Sequence, residues 1–172
     1  MPTDERHGVA APLPTDRDSF PESGPNALAR VGPRAAARLL DAVVLAVPLV
    51  LLVAVILVAT GFQPDEPSDA LPPWVAGVWF VAVVAYESVL VAWRGQTVGK
   101  FAFGIRVARL DNGRPPLWWQ AAIRVALPAV IATVPHAVAQ LVFLGVYFSS
   151  VFDAMGRGFH DKAAGTVVVT TR

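Results

Sequence analysis

The sequence predicts an all-α membrane protein, a small bundle of three or four hydrophobic helices with short cytoplasmic β segments. Three observations predict it. Of the 172 residues, 55 % are hydrophobic and only 16 % charged, where soluble domains carry about 25 % charged residues. The mean hydropathy is +0.53. Two long apolar stretches, Ala42–Ala59 and Trp74–Trp93, contain a single charged residue, Glu87.

Residues 1–30 are acidic and proline-rich and lack the apolar core of a signal peptide. Such a composition buries too little apolar surface to offset its ordering entropy, so a disordered cytoplasmic tail is expected here, ahead of a membrane domain at 31–172. The first helix is expected over about 35–60. Its apolar run shows no polar face and is long enough to cross most of a ~30 Å hydrocarbon core. The second, over about 74–93, is bracketed by tryptophans suited to the two membrane interfaces. Between them GFQPDEPSDALPP carries acids and prolines but no Lys or Arg. Arg30, Arg34 and Arg38 precede the first span, and Arg94, Lys100, Arg106, Arg109, Arg114 and Arg124 follow the second. The bias in basic residues therefore places the N-terminus and the 94–124 segment in the cytoplasm.

After the second span comes GQTVGK, Gly95–Lys100. It differs from a phosphate-binding loop in the spacing of its glycines and in having Phe101 after the lysine. A tight exit turn is expected, with Lys100 among anionic headgroups. IRVARL (Ile105–Leu110) and TVVVTT (Thr166–Thr171) read as strands, free to pair if both lie on the cytoplasmic side. Ala121–Phe152 reads either as one long kinked span or as a hairpin of helices over about 117–134 and 136–153. The hairpin returns Arg157, Lys162 and Arg172 to the cytoplasm and is favoured on that ground. It puts Trp118 and Trp119 at headgroup level and His136 at its tip, as an interfacial residue.

Arg38 and Asp41, three residues apart, can share a helix face and neutralise one another. Two readings stand: a structural pair that fixes helix depth, or part of an ion or proton path, the common role of intramembrane ionisable groups. Glu87 lies about 9 Å inside Trp93, at a depth comparable to Asp41. Arg38, Asp41, Glu87 and Arg124 are thus expected to form one cluster of two arginines and two carboxylates, unless Glu87 faces a neighbouring subunit or snorkels. His160 and Asp161 are adjacent, but no activated nucleophile or ligand set accompanies them, so neither an enzyme nor a metal or cofactor is expected. With no cysteines, disulfides and thiolate metal sites are excluded.

Three stretches, PRAAARLLD, GQTVGKFAFGIRVARLDNGRPPLWWQAAIR and FDAMGRGFHDKAAGTVVV, in this order resemble the RDD family of bacterial membrane proteins, named for an arginine and two aspartates. The resemblance runs from about Pro33 to Val169; the long Pro-rich tail departs from it. It places the family arginine on Arg34 or Arg38 and the first aspartate on Asp41. The second falls on Asp153 or Asp161, within a C-terminal motif that includes His160 and Lys162. Together with the charge bias it implies a multi-pass protein of the bacterial plasma membrane with a cytoplasmic N-terminus. The family's usual link is to transport. The expected function is movement of a small cation or proton, with Asp41 and Glu87 as exchangeable carboxylates tuned by Arg38. The alternative is a non-catalytic scaffold docking a partner through its cytoplasmic loops. So few helices enclose little volume, so a homo-oligomer or a partner membrane protein is expected besides the lipid bilayer, and no nucleic acid.

Overall fold

A computed structural model of the chain describes residues 12–62, 71–132, 141–142, 145–146 and 149–172. The elements in order are α1 (Val31–Ala59), α2 (Pro73–Arg94), α3 (Val98–Ala102), β1 (Ile105–Arg109), α4 (Trp118–Ala132), α5 (Phe159–Ala163) and β2 (Thr166–Thr170). The chain is mostly helical, with one small two-stranded sheet.

α1 and α2 are long and apolar enough to cross a membrane, with mean hydropathies of 3.2 and 2.0 over their most apolar stretches. Only 6 % and 11 % of those stretches is buried in the protein. A soluble core helix of this composition would be covered. Here Val43, Val47, Leu51 and Val55 of α1 face outward, and an apolar face of that extent calls for a lipid solvent. α4 is described over 15 residues, Trp118–Ala132, up to the edge of the described stretch. Among the described residues two helices are long and apolar enough to cross a membrane, and the third and fourth helices of the expected bundle fall partly or largely outside the described residues. The expected 136–153 helix falls largely outside the described residues, as does His136, and with them the choice between one span and a hairpin. α2 packs along α4, whereas α1 meets α3 and only grazes α2.

α2 stops where Gly95 turns into the left-handed region, its N–H donating to the Val91 carbonyl at 2.8 Å. A Cβ at Gly95 would come 2.7 Å from the Val107 carbonyl oxygen, so both the turn and the close approach require glycine. The GQT exit turn thus brings the chain back beneath the helices and into β1.

β1 and β2 pair antiparallel, with Ile105 opposite Thr170 and Val107 opposite Val168, as the two β-prone segments suggested. Side chains alternate between faces along a strand. Ile105, Val107 and Val168 pack toward the helices with Ala37, Val91 and Ala121. Ala108, Val167 and Val169 point the other way, beneath Phe20 and Met155. Burial on both faces is why TVVVT shows no polar alternation.

Phe20 belongs to the segment expected to be disordered, and for residues 12–30 that expectation is corrected. The backbone of 26–29 bonds the outer edge of β2: Asn26 N–H to Thr170 O at 2.9 Å, Thr170 N–H to Ala27 O at 2.9 Å, and Ala29 N–H to Val168 O at 3.0 Å. Leu13 and Leu28 pack with Phe20 against the sheet. Prolines and acids dominate the average composition, but the few apolar side chains have a ready surface, and an uncovered strand edge favours pairing. Phe20→Ala is expected to lose roughly 3 kcal/mol of stability, as large-to-small changes at buried aromatic sites do. Unfolding in detergent checks this; a loss near zero would detach the segment from the folded unit.

Candidate functional site

Where the sheet meets the ends of α1 and α2 lies a cavity of about 640 Å³. α1 contributes Arg34, Arg38 and Asp41; α2 contributes Tyr86 and Glu87; α3 contributes Lys100. Arg124 comes from α4, and His160 and Asp161 from α5.

Asp41 is buried without a cation in its hydrogen-bond shell. Oδ1 accepts from the Tyr86 hydroxyl at 2.9 Å and from Gly99 N–H at 2.7 Å, and Oδ2 accepts from the Thr97 hydroxyl. Thr97 is the N-cap of α3, so the carboxylate sits at that helix's N-terminus, where exposed N–H groups favour an anion. Gly99 makes the approach possible: a Cβ there would lie 2.2 Å from the Ala37 carbonyl oxygen and 2.9 Å from Asp41 Cγ. The GQTVGK stretch is thereby a docking surface for α1.

Glu87 lies between two cations. Arg38 Nη1 donates to Oε2, and Lys100 Nζ donates to Oε1 at 3.2 Å. The expected Arg38–Asp41 pairing is replaced by Arg38–Glu87, because α3 fills the acceptor sites of Asp41 and Arg38 reaches across to α2 instead. Lys100, expected among headgroups, is buried. Burial pushes its ammonium down to about 8, with Glu87 opposing a further drop, so it remains a cation at pH 7.

Arg124 faces Asp161, not Glu87 or Asp41. Its Nε lies 2.8 Å from Asp161 Oδ1, with both side chains almost fully buried, though the alignment is off-line for a hydrogen bond. Burial would raise the Asp161 carboxyl, but Arg124, together with His160, Arg34 and the Gly158 N–H, holds it below its ordinary value. His160 Nε2 is 3.6 Å from the same oxygen. Burial pushes the imidazole down to about 4, so at pH 7 it is neutral and the contact is not an ion pair. Arg34 ties α1 to the sheet, donating to the carbonyls of Gly156 and Val168. Arg34 Nε and Arg124 Nη1 are buried without a hydrogen-bond partner.

Of the sequence-predicted residues, Arg34, Arg38, Asp41, Glu87, Arg124, His160 and Asp161 converge on the cavity. Asp153 and Lys162 do not: they pair with each other at 2.8 Å, beside Arg157. Lys100, Thr97 and Tyr86 are the members that the sequence reading missed. Among the described residues no three His, Asp or Glu side chains gather as a metal ion would require.

The chain matches the RDD family over residues 28–165. It belongs to the RDD family. That span includes every ionisable residue of the cavity, and the PRAAARLLD, GQTVGK and FHDK stretches of the RDD match meet around it. The chain matches no curated protein and no solved structure. Membership of the RDD family and two outward-facing apolar helices together mark a membrane protein.

Gly99→Ala is expected to lose at least about 1–3 kcal/mol, since the new methyl meets backbone that cannot yield. Gly77→Ala, with open space around it, should stay within about 1 kcal/mol of the native protein; equal melting temperatures for the two variants would refute the α1–α3 contact. A second prediction concerns pH. His160 titrates near 4 when folded and near its ordinary 6.5 when unfolded, so the unfolded chain binds the extra proton between those values. Stability is full above about pH 6.5 and falls as pH drops toward 4, by at most about 1.4 kcal/mol per pH unit. His160→Gln should flatten that slope in melting curves taken across the window.

Proposed function

We propose that this RDD protein is transport-associated and that the charged cavity engages an anionic group of its solute. The observation that carries the reading is the charge balance. Arg34, Arg38, Lys100 and Arg124 stand against Asp41, Glu87 and Asp161, leaving an excess of one positive charge with His160 neutral. All three carboxylates are engaged, Glu87 by two cations, Asp161 by Arg124, and Asp41 by three hydrogen-bond donors. A carboxylate that exchanges protons or carries a cation needs a state in which its partners let go. The groups with hydrogen-bonding capacity left over include Arg34 Nε and Arg124 Nη1, donors that suit oxyanions, and the Asp161 Oδ1 that lies against Arg124.

This turns the charge preference around from the small cation or proton that the isolated sequence suggests. In this reading Asp41 holds the start of α3 and Glu87 positions Arg38 and Lys100, and neither loads cargo. The scaffold alternative drew on the distinctive loop sequences, but GQTVGK and FHDK are spent inside the protein on Asp41, Glu87 and Arg124. The basic-residue bias supports a cytoplasmic sheet side and N-terminus.

Proteoliposomes test the reading. Acetate, phosphate and alkyl phosphate supplied in turn as radiolabelled anions should include at least one whose movement depends on the protein. Arg124→Gln, at matched folded yield, should slow it by about tenfold, the loss of one charge-assisted hydrogen bond. Na⁺, K⁺ or H⁺ flux abolished by both Asp41→Asn and Glu87→Gln at unchanged melting temperature would overturn it in favour of a cation carrier.

A further inference from the structure

The charged end is only part of the cavity. Leu39 and Leu45 of α1 and Trp79 and Val83 of α2 also line it, forming an apolar wall on the side away from the sheet. Leu39 is 71 % exposed and Ala42, another lining residue, is exposed as well. The rim of the cavity is therefore continuous with the outward-facing apolar surface of α1. α1 and α2 are joined beside the charges by Arg38–Glu87 and Tyr86–Asp41 and otherwise pack little on one another.

The polar end is a built site. The Arg124 side chain is 3 % exposed, its Nη1 has no hydrogen-bond partner, and neither does Arg34 Nε; both residues line the cavity. Buried donors without acceptors are unfavourable, and these sit where the positive charge is in excess. A free inorganic anion would satisfy the donors but leave the apolar wall unused. A volume of about 640 Å³ falls within the ~300–1,000 Å³ of small-molecule sites, more than one oxyanion fills.

We infer that the cavity binds an anionic amphiphile, a phosphate or carboxylate headgroup on an acyl chain, which enters from the bilayer between α1 and α2. The headgroup lies against Arg124 and Arg34, and the chain runs along Leu39, Leu45, Trp79 and Val83 toward the lipid. This deepens the anionic-solute reading and rests on it.

The test uses the full chain in phosphatidylcholine nanodiscs, titrated by calorimetry and thermal shift with dodecyl phosphate, dodecanol and inorganic phosphate. Dodecyl phosphate should bind saturably, at least about tenfold tighter than either of the others. Arg124→Gln should weaken it by about tenfold. Because that change leaves Asp161 without its cation and can unfold the protein, Ala42→Trp provides a second variant. It places an indole at the exposed rim, one turn beyond Arg38, and should weaken dodecyl phosphate, with the melting temperature of the free protein checking that the fold is kept. Inorganic phosphate binding as tightly as dodecyl phosphate, with Arg124 dependence, overturns the amphiphile and leaves the anionic-solute reading standing. Dodecanol binding as tightly, or dodecyl phosphate indifferent to Ala42→Trp, also overturns the amphiphile. Absence of binding by both phosphates overturns the amphiphile, and the anionic-solute reading then stands or falls on the acetate and phosphate fluxes in proteoliposomes.

Discussion

The acceptance of the Asp41 carboxylate by the start of α3 is the contact from which the arrangement of the other charges follows. α3 has five residues, too few to persist as an isolated helix. It is held by the hydroxyl of Thr97 and the N–H of Gly99, both donating to Asp41. With Gly99 pressed against Ala37, the next residue, Lys100, reaches Glu87 of α2. Glu87 in turn engages Arg38 of α1. The circuit α1–α3–α2–α1 closes through side chains although α1 and α2 hardly touch directly. Each link lies in surroundings of low dielectric, where removing one partner leaves an uncompensated charge and is strongly destabilising.

The sheet is the floor of this circuit. Ile105 and Val168 line the cavity from below, and the Val168 carbonyl accepts from both Ala29 N–H and Arg34. One backbone oxygen thus joins the N-terminal segment, α1 and β2. The segment over 12–30 serves the outer face, where Phe20 covers Ala108 and Val169. Without it the second apolar face of β2 would meet water. A two-stranded ribbon alone is marginal in water, so this sheet depends on being covered from both sides.

The spans, the exit turn and both strands were legible because hydropathy, glycine position and β-branching are local signals. That Arg38, Asp41 and Glu87 share a depth was legible too, since antiparallel helices of known rise fix it. Which residue pairs with which was not. Asp41 has Arg38 one turn away in sequence, yet a five-residue helix with no amphipathic signature takes its acceptor sites. Lys100 read as a headgroup contact because a lysine in a turn is ordinarily solvated, and only the packing of α3 shows otherwise. The N-terminal segment misled for the opposite reason: its average composition is that of a disordered chain, while its few apolar residues decide its fate.

An excess of buried positive charge is a condition that a protein can relieve in two ways. Lysine and histidine can release a proton, and the two that line this cavity have shifted in that direction, Lys100 to about 8 and His160 to about 4. Arginine does not have that route in the accessible pH range. The N–H groups of Arg34 and Arg124 that have no hydrogen-bond partner call instead for oxygen acceptors. Asp161 meets Arg124 on the Nε side, leaving the Nη1 edge turned away from it. In the anionic-solute reading proposed above, a guanidinium beside an apolar wall selects by shape as well as by charge, since oxyanions can bond it in parallel. In that reading the unsatisfied arginine donors, more than the depth of the carboxylates, set what the cavity accepts.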